Sequence, residues 1–336
     1  MVRLTFSAAM LLWASASNAQ WALQNSNTTA DLRGIHSVGN GVAWASGTNG
    51  TVLRTEDGGY LWQQCSIPPG AEHLDFRGIQ AFDANTAIVM SSGKGDLSRL
   101  YKTIDGCHTW KLVFKNPDKD GFWDSILLNR FDKDGYLLGD PVNGSFRFWT
   151  TDDKGMTWQD DWQGADWKRT PWRGLIALPQ EGAFAASNSA LFVDERYAVG
   201  FVTGGPAGGR FVFGNDPNDG TRFHAVSLPL RSGSPASGAY SIESRDYDGL
   251  VAVGGDYMKP DDPSGTATYS KDGGEHWHPA ITPPHGYRSA VAYDSASKTW
   301  ITVGPNGTDI STDDGRNWRA VHPDPSLHES PDADRN

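Results

Sequence analysis

The sequence predicts an all-β fold, a β-propeller of six four-stranded blades. Three observations predict it. One turn motif recurs along the chain, short apolar runs bounded by Gly, Asp or Asn lie between its copies, and no stretch of helical period interrupts them. Composition agrees: the 336 residues include 39 Gly, 19 Pro and 14 Trp against 5 Met. Turn formers and aromatics suit strands and tight turns, whereas a helical bundle draws on Ala, Leu, Glu and Lys. The aromatic content also argues against disorder, because it supplies surface to bury.

The motif reads Ser/Thr-x-Asp-x-Gly-x-x-Trp. It runs from Thr55 to Trp62 with Asp57, from Thr151 to Trp158 with Asp153, from Ser270 to Trp277 with Asp272, and from Ser311 to Trp318 with Asp313. Thr103 to Trp110, with Asp105, matches except that Cys107 holds the glycine place. Phe223, after the degenerate turn 215–220, fills the long interval between Trp158 and Trp277, which makes six repeats. The Asp carboxylate accepts backbone N–H groups of a hairpin turn, the Gly takes a conformation other residues resist, and the Trp begins the next strand and buries its ring. These five aspartates are therefore read as structural. Runs at 42–45, 87–90, 136–138 and 250–253 supply strands between the turns. The repeats follow one another without linkers, which favours one closed disc, a monomer, over a string of sandwiches.

The N-terminus reads as an export signal: Met1-Val2-Arg3, an apolar run over 4–16, and a cleavage site at Ser17-Asn18-Ala19. The expected organisation is a signal peptide over 1–19, a single propeller over 20–320 and a disordered acidic tail over 321–336, in a periplasmic or extracellular protein. The apolar run is too short to span a bilayer comfortably, and no other segment is a candidate transmembrane span. Two cysteines exclude a disulfide-dense scaffold and a multi-cysteine zinc site. In an oxidising compartment Cys65 and Cys107 either pair or stay apart, and the sequence leaves both open. A net charge of −11 argues against nucleic acid and anionic membrane as partners. Gly-x-Gly-x-x-Gly between a strand and a helix, Cys-x-x-Cys and Gly-x-Ser-x-Gly are all missing, and His276 and His278 lack a third ligand, so no cofactor or metal is expected.

The repeat serves as a coordinate system for the face on which each inner strand begins. Arg33-Gly34-Ile35 and Arg77-Gly78-Ile79 open the first two inner strands, and the same spacing selects Asp124, Asn188, Tyr240 and Arg288 in the others. Turns after the second strands add Lys94, Asp140, Asp256 and Tyr257 on that face. A longer connection before the fourth blade carries Trp162, Trp167, Lys168, Arg169, Trp172 and Arg173, read either as a binding lid or as rings capping the core. The arginines have two readings as well. They lock neighbouring blades through carboxylates, or they hold anionic groups of a partner.

The aspartate turns resemble the Asp-box, or BNR, repeat of sialidase-type propellers. Together with Trp21, Arg33-Gly34-Ile35 and the run from Gly47 to Thr55, they resemble the exported photosystem II stability/assembly factor-like (YCF48-like) propellers. The segments 139–144, 181–188, 254–257 and 287–291 are similar to that group too. The resemblance implies seven blades with an N-terminal closing strand. Here the residues after Trp318 are too few and too polar for another blade. Six blades are therefore expected, with Trp21-Ala22-Leu23 as an extra or closing strand. The expected function is a non-enzymatic binding or assembly factor of the cell envelope. Its partner would be an envelope protein, an anionic small ligand or a glycan on the top face. The alternative is a sialidase-like glycoside hydrolase or carbohydrate-binding propeller, with Tyr240 or Tyr257 and Asp124, Asp140, Asp256 and Glu243 cast in its parts.

Overall fold

The computed structural model describes residues 24–128, 134–160, 176–193, 199–214 and 224–321. They form six sheets, each of four strands hydrogen-bonded in sequence order. All strand pairings within the sheets are antiparallel. The protein is thus an all-β, six-bladed propeller, as expected. We number the blades along the chain. Their inner strands are Leu32–Gly39, Phe76–Ala81, Trp123–Leu128, Leu191–Val193, Ser237–Ser244 and Ala290–Asp294. One 3-10 turn, Gly95–Leu97, is the sole helical element among the described residues. The expected signal peptide, the strand at Trp21, the turn 215–220, Phe223, the lid with Trp172 and Arg173, and the C-terminal tail from 322 lie outside the described residues.

The motif turns close as their chemistry requires. Thr55 Oγ1 donates to Asp57 Oδ1 at 2.7 Å, and that oxygen accepts the Leu61 N–H at 3.0 Å. The Gly59 N–H returns to Thr55 Oγ1 at 3.1 Å. The same three bonds recur around Asp105, Asp153, Asp272 and Asp313. Hydrogen bonds from the Thr109 side chain and backbone, with Thr103, hold Asp105 down to about 2. The residue after the aspartate turn sits in the left-handed region, with φ of 78° at Gly155 and 93° at Gly274. Cys107 takes φ of 66° at the equivalent place, where a side chain is disfavoured. It is bonded to Cys65, with the two Cα atoms 5.3 Å apart, so the exception in the motif carries a covalent tie between blades 1 and 2.

Blades join through apolar clusters. Trp44 and Val52 of blade 1 meet Phe76 and Ile79 of blade 2. Ile88 and Leu100 of blade 2 meet Trp123 and Trp149 of blade 3, and Leu138 and Phe148 of blade 3 meet Phe201 of blade 4. Phe211 of blade 4 meets Ile242 of blade 5, and Val251 of blade 5 meets Trp300 of blade 6. These five clusters fill the five consecutive junctions. Among the described residues no such cluster joins blade 6 to blade 1. Small residues let the inner strands approach: a Cβ on Gly34 would meet Ile79 Cγ2 at 3.3 Å, and one on Gly78 would meet Ile126 Cγ2 at 3.1 Å.

The repeated Arg-Gly-Ile triplet therefore ends in two environments. Ile79 is 1% exposed and Ile35 is 70% exposed. Ile79→Ala is expected to cost about 2–5 kcal/mol of unfolding free energy. Ile35→Ala should change it by less than about 0.5 kcal/mol. Chemical denaturation of the two variants measures the difference.

Candidate functional site

The connection from blade 3 to blade 4 crosses the axis of the disc before its strand begins. The Ala183 N–H donates to Asp140 Oδ1 of blade 3 at 3.2 Å. The Ala185 carbonyl accepts Arg77 Nη1 of blade 2 at 3.1 Å. Asn188 pairs with both backbone groups of Ile126 in blade 3, at 2.8 and 3.0 Å. Ser189 Oγ meets Ser241 Oγ of blade 5 at 2.6 Å, and Ser187 Oγ donates to the Ser289 carbonyl of blade 6 at 2.6 Å. Segment 183–189 therefore plugs the centre.

Above this plug lies a cavity of about 1740 Å³. Arg33, Arg77, Asp124, Asp140, Tyr240 and Tyr257, all selected from the repeat register, line it. Lys94 stands outside, exposed and paired with Asp120 at 3.0 Å. Asp256 is buried in its own turn, accepting from Ser234 Oγ and from the Met258 N–H at 3.0 Å each. Two rim assignments change. Arg288 is 0% exposed and enclosed by Asp309, the Tyr287 carbonyl, Asn306 and His285. It braces blade 6 and offers nothing to a ligand. Asn188, with φ of 65°, spends its amide on Ile126 and is a lock between blades. Asn188 departs from the register because its amide meets the Ile126 backbone of the neighbouring blade, and Arg288 because the Asp309 carboxylate of its own blade encloses it.

Asp75 is a residue the register reading missed. Arg77 Nε donates to Asp75 Oδ2 at 2.8 Å, and Arg33 Nε lies 3.5 Å from Asp75 Oδ1. Two guanidinium groups from adjacent blades thus converge on one carboxylate, each with about a third of its side chain exposed, 33% and 32%. The repeated spacing Asp31-x-Arg33 and Asp75-x-Arg77 was the available signal. Tyr287 and Phe184 were missed as well. Phe184 stacks on Tyr240 with centroids 3.9 Å apart, and Tyr287 and Tyr257 meet Tyr240 edge-on. Tyr240 is enclosed and donates its hydroxyl to the Ala236 carbonyl at 2.8 Å, and burial holds its pKa well above the usual phenol range. Tyr257 is the ring that faces solvent.

The acids around the cavity are mostly silent. Glu181 is held by Arg210 at 2.6 Å and by Thr203. Asp124 is 0% exposed, and neither of its oxygens has a hydrogen-bond partner. Burial, then the neighbouring Asp140, raises it well above the usual carboxylate range, with Arg77 opposing. Burial pushes Asp140 up to about 6 against the Ala183 N–H. Asp140 takes up its proton more readily in the folded chain than in the unfolded one, so its ionisation costs stability as pH rises through 6. Asp140→Asn is expected to raise the melting temperature at about pH 7.5, and the gain should vanish below about pH 4, where both states are protonated. Thermal melts across that range test it.

No protein-family model matches the chain, and no curated protein matches it. Solved structures share its fold. An ancestral GH74 enzyme is 12% identical with a TM-score of 0.54, over 91% of this chain and 40% of that one. YCF48 bound to D1 peptide is 17% identical with a TM-score of 0.44, over 88% and 94% of the two chains. The GH74 xyloglucanase from Xanthomonas campestris is 15% identical with a TM-score of 0.46, over 85% and 52%. The chain thus spans about half or less of these two GH74 chains. All three lie below 25% identity, and the likeness to the ancestral GH74 enzyme, at a TM-score of 0.54, is one of fold.

Proposed function

We propose that this chain works by binding, and that its top-face cavity holds an anionic group of a protein partner or small ligand between Arg33 and Arg77. One observation carries the reading: two guanidinium groups from adjacent blades, each about a third exposed, meet at Asp75 on the cavity wall, and Arg33 also reaches Asp31 at 3.6 Å. Glu181 is already paired and burial raises Asp124 well above the usual carboxylate range, so Arg33 and Arg77 are the cations of the cavity lining that an incoming carboxylate can meet, despite the −11 of the whole chain. A glycosidase reading needs two carboxyls that reach the sugar. Of the adjacent pair at the cavity wall, Asp124 is 0% exposed and so does not reach a sugar. The sequence resemblance to exported assembly factor-like propellers, with the aspartate turns as Asp-boxes, supports a binding role. A fluorescein-labelled acidic peptide should bind the wild type and weaken at least about tenfold in the Arg33→Ala/Arg77→Ala double variant, with a marked salt dependence. Binding indifferent to both arginines would overturn the reading.

We also propose that the protein is exported to the cell envelope, on the strength of residues 1–19. N-terminal sequencing of the material recovered after export should begin at Gln20. A mature chain that retains residues 1–19 would contradict this.

A further inference from the structure

We propose that the face of blade 1 left without an apolar cluster among the described residues, with the facing strands of blade 6, is a docking site for a β-strand of a partner protein whose alternate side chains are apolar. The argument begins from the repeat. In blade 2, Ile79 is covered by blade 1, and in blade 3, Ile126 is covered by blade 2. Ile242 of blade 5 is covered by blade 4 in the same way. These three are at most 2% exposed, whereas Ile35, the blade 1 equivalent of Ile79, is 70% exposed. An identical Arg-Gly-Ile triplet, built for the same contact, lacks it at one place in the ring. The surface is therefore continuous in kind with the five blade junctions.

The cavity reaches this place. Its lining includes Leu32 and Ile35 on one wall and Ala290, Val303 and Pro305 on the other. Leu32 and Val303 are also exposed, at 43% and 40%. The central plug hydrogen-bonds to blades 2, 3, 5 and 6, and among the described residues it makes no hydrogen bond to blade 1. What covers the equivalent isoleucines elsewhere is a β-sheet face, and a strand presents every second side chain to one face. A partner strand matches that geometry. These walls are aliphatic, whereas sugars stack on aromatic faces, so the surface favours polypeptide over glycan. Arg33 at the inner end favours an acidic residue at the matching end of the strand.

The test is a display library of random segments of about nine residues, a common strand length, panned on the full chain. Ile35→Asp/Val303→Asp and Arg33→Ala are panned in parallel. Wild type should enrich segments with apolar residues at alternate positions by at least tenfold over the input library. Arg33→Ala should keep that enrichment, and Ile35→Asp/Val303→Asp should lose it. The circular dichroism spectrum and melting temperature of Ile35→Asp/Val303→Asp should match wild type, which shows that the double variant is folded, and retention of the alternating enrichment by Arg33→Ala separates this proposal from the anion reading. The proposal is overturned if wild type enriches no alternating segments, or if the Ile35→Asp/Val303→Asp protein enriches them equally. Enrichment of acidic segments without apolar alternation overturns it too, while leaving the arginine site standing.

Discussion

The hydrogen-bonded plug at residues 183–189 is the constraint on which the rest of the disc depends. A ring of inner strands leaves backbone and small polar groups facing the axis, and buried groups of that kind need partners. Ser187, Asn188 and Ser189 supply them with short side chains that reach several blades at once. Asn188 imitates a strand by giving and taking one bond with Ile126. Ser241 accepts from the Val291 N–H at 2.9 Å as it meets Ser189, so blade 6 is held to blade 5 through the same chain of hydroxyls. The plug also sets the cavity floor, because the Ala185 carbonyl fixes Arg77 and the Ala183 N–H fixes Asp140.

Electrostatics at the cavity follow from where each acid is placed. An acidic chain presents cations here because many of its carboxylates are spent elsewhere, although Asp31 and Asp75 stand beside the arginines. Five serve the motif turns, Glu181 is closed by Arg210, and Asp309 is closed by Arg288. Enclosure without a donor raises Asp124 well above the usual carboxylate range. The charge of the chain and the charge seen by a ligand are thus set by different residues, and burial decides which of them count.

The ring is asymmetric in a way the plug anticipates. Blade 1 is fastened to blade 2 by Cys65–Cys107 and by an apolar cluster, yet the axial hydrogen bonds pass it by. One flank of blade 1 is therefore held firmly, while on its other flank no apolar cluster forms among the described residues. The arginine pair sits at the inner end of that surface, so cavity and cleft form one continuous feature.

The sequence by itself determined the turns, the number of blades and a large part of the cavity wall. The turn motif is local: its bonds span four residues or fewer, so residue type and spacing dictate them. Repeat register was enough to bring Arg33, Arg77, Asp124, Asp140, Tyr240 and Tyr257 to one cavity, because equivalent positions in a ring face the same axis. Only the tertiary structure decided what each of those positions meets. It enclosed Arg288 against Asp309, turned Asn188 into a lock, brought Asp75 between two arginines and paired the two cysteines. It also separated Ile35 from Ile79, identical in local sequence and opposite in burial. Burial and hydrogen-bond partnership are set by whichever blade stands next in space, and that neighbour is chosen by closure of the ring rather than by the residues on either side in the chain.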